Sequence, residues 1–199
     1  MIQADRKEQL VVREFVRAVK QGDRAALVHL LGRLDDHILW QRAFRALVRE
    51  VDKAKIDPEM QATWLRIWIS RRDQLRDQLR QEADKGLLLA RALRILLPPY
   101  TGPSLTLFRG DSARNRRCRS YGPSWSSNQA VAESHAEGFW RKSEGGSVLL
   151  STFAAAQAII CAPWQHDDRY AEDEYLVDRS WLKGASVTEV QRYSQVTRD

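Results

Sequence analysis

Three short segments in the second half of the chain carry side chains suited to chemistry. Leu107-Phe108-Arg109-Gly110 ends an apolar run on an arginine followed by glycine. Gly122-Pro123-Ser124-Trp125-Ser126-Ser127 offers serine hydroxyls just ahead of Asn128-Gln129-Ala130-Val131-Ala132-Glu133, which opens a helical pattern. Glu172-Asp173-Glu174-Tyr175-Leu176-Val177-Asp178 sets two glutamates at i and i+2 before an apolar strand, where alternation predicts both carboxylates on one side. The arginine's rigid fork of donors suits phosphate or ribose oxygens, and a carboxylate suits developing positive charge. Singly, each segment has a plainer reading: a surface arginine, serines capping a helix, a solvated strand edge.

The elements that must position these residues are β-type. After Pro98-Pro99-Tyr100-Thr101-Gly102-Pro103, a Pro/Gly cluster that marks a domain boundary, short apolar runs predict strands at Leu105–Phe108, Ser147–Phe153, Ala158–Cys161, Tyr175–Val177 and Val187–Tyr193. One helical stretch, about Asn128–Lys142, interrupts them.

The first half reads differently. Val12, Phe15, Val16 and Val19 recur at helical spacing until Gly22. Asp23 caps a second predicted helix bearing Leu27, Leu30, Leu31 and Leu34, and Asp35 or Asp36 a third with Trp40, Phe44, Leu47, Val48 and Val51. Asp57-Pro58 starts a fourth, with Trp64, Trp68, Leu75 and Leu79 on one face, and a last run from Leu87 ends before Pro98-Pro99. The expectation is a bundle of about five helices over residues 1–98, whose Trp and Leu stripes are core packing rather than a cofactor cleft. The α+β class follows: a helical domain, residues 1–98, then a β-rich domain, residues 99–199.

Composition narrows the function classes. The chain has 199 residues, 43% hydrophobic and 29% charged, which is ordinary for a globular protein. No segment approaches the roughly 18–20 apolar residues of a membrane span, so no membrane partner is expected. The charged start Met-Ile-Gln-Ala-Asp-Arg-Lys-Glu has no apolar core of a signal peptide, so a cytoplasmic setting is expected, with specialised delivery into another cell as the other route. Two cysteines, Cys118 and Cys161, make no disulfide framework, and no Cys/His spacing suggests a metal site. Of the net charge of +6, residues 1–100 hold all the excess, 20 Lys and Arg against 14 Asp and Glu, while residues 101–199 balance at 12 each. A basic face can attract nucleic acid, but a solvated surface is the commoner meaning of such a charge.

In their order, the Arg, Ser-x-Ser and Glu-x-Glu segments resemble the signature of arginine-type mono-ADP-ribosyltransferases, a family that includes bacterial toxins. There an Arg ends the first strand, a Ser-Thr-Ser-like motif precedes a helix containing Val-Ala-Glu, and Glu-x-Glu opens a later strand. The resemblance spans roughly residues 102–195. It departs at Trp125, where a small residue is usual, at Pro123, and in the short interval from Arg109 to Ser124.

The resemblance implies a compact split β-sandwich and NAD as a substrate. It makes Glu174 the catalytic carboxylate beside the ribose and Glu172 the group that orients or deprotonates an acceptor guanidinium. Arg109, Gly110, Ser124, Trp125 and Ser126 become NAD-binding positions, with Ser124 orienting Glu174 and Ser126 in support. Tyr100, Phe108 and Trp125 are candidate ring partners for nicotinamide and adenine. Trp164 and Tyr170, in the loop before Glu172, would recognise a protein acceptor. Two other readings remain beside transfer to protein arginine: a non-catalytic interaction protein with a degenerate transferase fold, and transfer to nucleic acid. The basic run Arg114, Arg116, Arg117 and Arg119 is read as a steering patch or a solvated loop.

Overall fold

The computed structural model describes residues 2–34, 37–79, 87–166, 173–182 and 186–196. It divides into two compact units, residues 1–98 and 99–199. Asp35 and Asp36, expected as caps, lie outside the described residues.

The first unit holds α1 (Ile2–Gln21), α2 (Arg24–Leu31), α3 (His37–Glu50), α4 (Pro58–Leu79) and α5 (Leu87–Leu96). Gly22 ends α1 with φ +69°, a left-handed conformation that favours glycine. Asp23 then caps α2, its Oδ1 accepting from the Ala26 N–H at 2.9 Å. The apolar stripes converge on an aromatic cluster in which Phe15, Trp40, Phe44 and Trp64 pack mostly edge to face, with centroids 5.3–6.5 Å apart. Such contacts add about 0.5–1.5 kcal/mol each beyond their buried area.

The second unit is built on β1 (Leu105–Ser112), β2 (Ser124–Ser126), β3 (Ser147–Ala154), β4 (Ile159–Cys161), β5 (Glu174–Val177) and β6 (Val187–Tyr193). They form one antiparallel sheet in the order β4-β5-β2-β1-β3-β6. β1 and β3 pair along eight residues, from Leu105↔Ala154 to Ser112↔Ser147. By contrast, β1 meets β2 at a single register pair, Phe108↔Ser126. The sheet is therefore two three-stranded halves, β4-β5-β2 and β1-β3-β6, joined at a narrow seam. Two helices flank it: α6 (Ala113–Cys118) directly follows β1, and α7 (Gln129–Gly138) follows β2. β2 and α6 were not foreseen in the sequence, since three residues of Ser-Trp-Ser show no apolar alternation and half of the six residues of α6 are arginine.

One sheet face carries the main core, including Leu107, Trp125, Val148, Leu150, Tyr175, Val177 and Val187. The other is covered in part by α7, where Ala132 and Ala136 pack with Leu149 and Tyr193, and Phe108 joins them half-buried. Gly110 makes that close approach feasible. A Cβ on it would run into the Ala132 carbonyl oxygen and the Ala136 backbone nitrogen. No helix among the described residues is long and apolar enough to cross a membrane.

Candidate active site at the sheet seam

Strand register decides which of the chemical residues meet. Ser126 is opposite Phe108 on one side and Glu174 on the other. Directly paired residues share a sheet face, so Phe108, Ser126 and Glu174 form a row across the seam. Ser124 shares that face two residues back on β2, but stands opposite Leu176. Ser126, not Ser124, is thus the serine beside the glutamate. Glu174 is only 4% exposed, and Ser126 is buried with it. The Ser126 Oγ accepts from the Asn128 N–H at 3.0 Å, and Asn128 in turn caps α7 by accepting from the Ala130 N–H at 3.0 Å. The serine motif and the helix behind it are therefore one hydrogen-bonded turn.

Backbone conformation sharpens the placement of Glu174. Asp173 has φ +44°, a left-handed conformation that is uncommon outside glycine and is best tolerated by Asn and Asp. Its carbonyl oxygen accepts from the Ser127 N–H at 3.3 Å. β5 begins only at Glu174. Strand alternation consequently does not extend back through Asp173, and it cannot assign Glu172 to the side of Glu174. Glu172 itself, like Tyr170, lies outside the described residues.

Arg109 lies on the other face of β1 from Phe108, in register with the buried Leu150. Its guanidinium is built into the protein. Nε donates to Asp111 Oδ2 at 2.7 Å, and Nη1 donates to the Ser124 carbonyl oxygen. Asp111 is fully buried and Arg109 only 7% exposed. The carboxylate is further satisfied by the Ser112 N–H at 2.8 Å and by Asn115 Nδ2 at 2.7 Å. Gly122 backs onto the same guanidinium, because a Cβ there would stand 2.9 Å from Arg109 Nη2. Arg109 thus ties β1 to the backbone of β2 where the ladder between them supplies one pair. From the sequence this guanidinium is expected to face phosphate or ribose oxygens; here its Nε and Nη1 face Asp111 and the Ser124 carbonyl.

The remaining expected contacts separate in the same way. Gly110 is buried beneath α7, where a Cβ would already meet the Ala132 and Ala136 backbone. Trp125 alternates away from the two serines into the core, edge-on to Tyr121 with centroids 6.1 Å apart. Its bulk therefore does not intrude on the serine face, nor can it stack on a ligand there. Tyr100 and Trp164 both pack against Tyr175 on the core side, at 5.9 and 6.0 Å. Burial, and then the neighbouring Tyr175, push the Tyr100 phenol above its ordinary pKa, and its hydroxyl donates to the Pro103 carbonyl oxygen at 2.9 Å. Of the candidate ring partners only Phe108 shares the row with Glu174. Trp164 is half-buried.

Asp111, Gly122 and Asp173 were not singled out from the sequence. The i, i+2 spacing of Arg109 and Asp111 on a strand was the available signal, since it places opposite charges on one face. Glu133, in the Val-Ala-Glu segment, accepts from the Tyr193 hydroxyl at 2.7 Å and so fastens α7 to β6. Among the described residues no group of three His, Cys, Asp or Glu side chains is placed to hold a metal ion. Compared with family models, with curated proteins and with solved structures, the chain matches none.

Proposed function

We propose that residues 99–199 catalyse NAD-dependent transfer of ADP-ribose to a protein acceptor, with arginine favoured, and release nicotinamide. The observation that carries this reading is the in-register row Phe108, Ser126 and Glu174 at the seam of a pinched sheet. Two three-stranded halves meeting at one pair support reading the sheet as a split sandwich. Cleavage of the nicotinamide–ribose bond passes through an oxocarbenium-like state. A carboxylate that is almost wholly desolvated, as Glu174 is, interacts with such a cation far more strongly than one in water. The Ser126 oxygen accepts from the Asn128 N–H, which fixes its hydroxyl in the row with Glu174. Phe108 offers a ring on that face. Arg109 and Asp111 hold the seam and take no direct part in the chemistry.

Labelled NAD, incubated with the full chain and a small guanidino acceptor, should give transferred label or free nicotinamide. Glu174→Gln should lower either rate by about a hundredfold or more, as expected on losing one electrostatic stabiliser of a charged transition state. No turnover, or an unchanged rate in a folded Glu174→Gln variant, overturns the proposal.

The commitment of Arg109 to Asp111 and to the Ser124 carbonyl favours a second reading, a degenerate transferase that serves as an interaction protein. Failure to bind NAD at millimolar concentration would support it.

A further inference from the structure

We infer that α6 and the turn Arg179–Trp181 form a docking surface for single-stranded nucleic acid. The inference is independent of the transfer reaction. From Ser112 to Ala132 the chain has four arginines, no lysine and no acidic residue. Arg114, Arg117 and Arg119 are exposed, and none of the three forms an ion pair among the described residues. Arg117 reaches the neighbouring loop, where a Cβ on Gly145 would lie 3.4 Å from its Nη1. Arg179 extends the patch from a separate element, its Nη1 donating to the Arg119 carbonyl oxygen at 3.2 Å.

The composition of the patch suits phosphodiesters. Guanidinium groups present paired donors in a plane that matches two phosphate oxygens, which a lysine ammonium does not. The second ingredient is aromatic. Trp181 is 54% exposed and sits two residues from Arg179. Its turn is fixed from below: buried Asp178 accepts through Oδ1 from the Ser180 N–H at 3.0 Å and from the Ser180 hydroxyl at 2.6 Å. The Trp181 backbone N–H donates to the Asp178 carbonyl oxygen at 3.0 Å, and Leu182 packs on the core. An exposed indole two residues from Arg179, whose guanidinium reaches the Arg119 carbonyl, offers a base a stacking platform, and the α6 arginines offer its backbone a charged track. A stacked base needs an unpaired strand, so single strands are favoured over duplex. An acidic protein surface would use the charges and leave the indole without a role.

The test is fluorescence anisotropy of the full chain with labelled single-stranded oligonucleotides of about a dozen nucleotides, at about 50 mM salt. The combined variant Arg114→Ala, Arg117→Ala, Arg119→Ala should bind at least about tenfold more weakly, with unchanged circular dichroism. Raising salt to about 200 mM should weaken wild-type binding about fiftyfold if about four phosphates are neutralised. Trp181→Ala should weaken single strands about fivefold or more, leave duplex of the same length unchanged, and be largely rescued by Trp181→Phe. Three results would overturn the inference. They are no oligonucleotide binding at low salt, wild-type affinity in the arginine variant (which would move the binding to the basic helical unit), or tighter binding of a polyglutamate peptide than of any oligonucleotide.

Discussion

A buried charge beside its partner braces the seam between β1 and β2. Arg109 and Asp111 are both withdrawn from water, and removing one partner of such a pair leaves an uncompensated charge at a cost of about 3–5 kcal/mol. Asp111→Ala should therefore lower unfolding stability by about that amount in urea titration, with the loss shared by the Asn115 and Ser112 contacts it also ends. A second residue-scale expectation concerns Tyr193. Burial first, then its hydrogen bond to Glu133, pushes the phenol up to about 12, against 10 for the free side chain. The folded state thus holds this proton more tightly than the unfolded chain does. The associated stability is fully present below pH 10 and is lost as pH rises towards 12. Thermal unfolding of Tyr193→Phe should show a flatter decline over that window than wild type. An equally steep decline would remove Tyr193 as the cause.

At the scale of elements, the contact that matters most is α7 on β1. The helix lies close because Gly110 has no side chain under Ala132 and Ala136, and Ser147 adds a hydroxyl bond to the Ala136 carbonyl at 2.7 Å. Gly110→Val would force the helix outward, since the atoms it meets are backbone and cannot rotate away. A destabilisation of about 1–3 kcal/mol or more is expected, together with loss of any NAD binding that depends on the Ser126–Asn128 turn at the start of α7. Calorimetry separates this from a purely local effect, because a variant with wild-type stability would show that the helix does not rest on β1. α7 was legible in the sequence as the one helical stretch, about Asn128–Lys142, which the structure divides into α7 and a short 3-10 turn at Trp140–Lys142. β2 was not, because its strand character comes from pairing with β5 rather than from any pattern of its own.

For the molecule as a whole, each unit encloses its own core, around Trp64 and Phe44 in the first and around Leu150 and Trp125 in the second. Residues 99–199 expressed alone should therefore unfold cooperatively and keep the near-ultraviolet signal of Trp125. A fragment without a cooperative transition would contradict this.

The sequence by itself determined much at this scale. Helical periodicity, the Asp23 and Asp57-Pro58 starts, and the Pro98-Pro99 break are local signals, and the elements they predict are present. Most strands were legible for the same reason, through apolar runs bounded by turn residues. What only the tertiary structure decided is which chemical groups face one another. A strand's alternation says that Arg109 and Phe108 point to opposite sides, but not which side holds the glutamate. That depends on the register of β2 between β1 and β5, a long-range pairing in which a one-residue slip exchanges the faces. Register brought Ser126 to Glu174, turned Trp125 into the core and set the Ser124 carbonyl against Arg109.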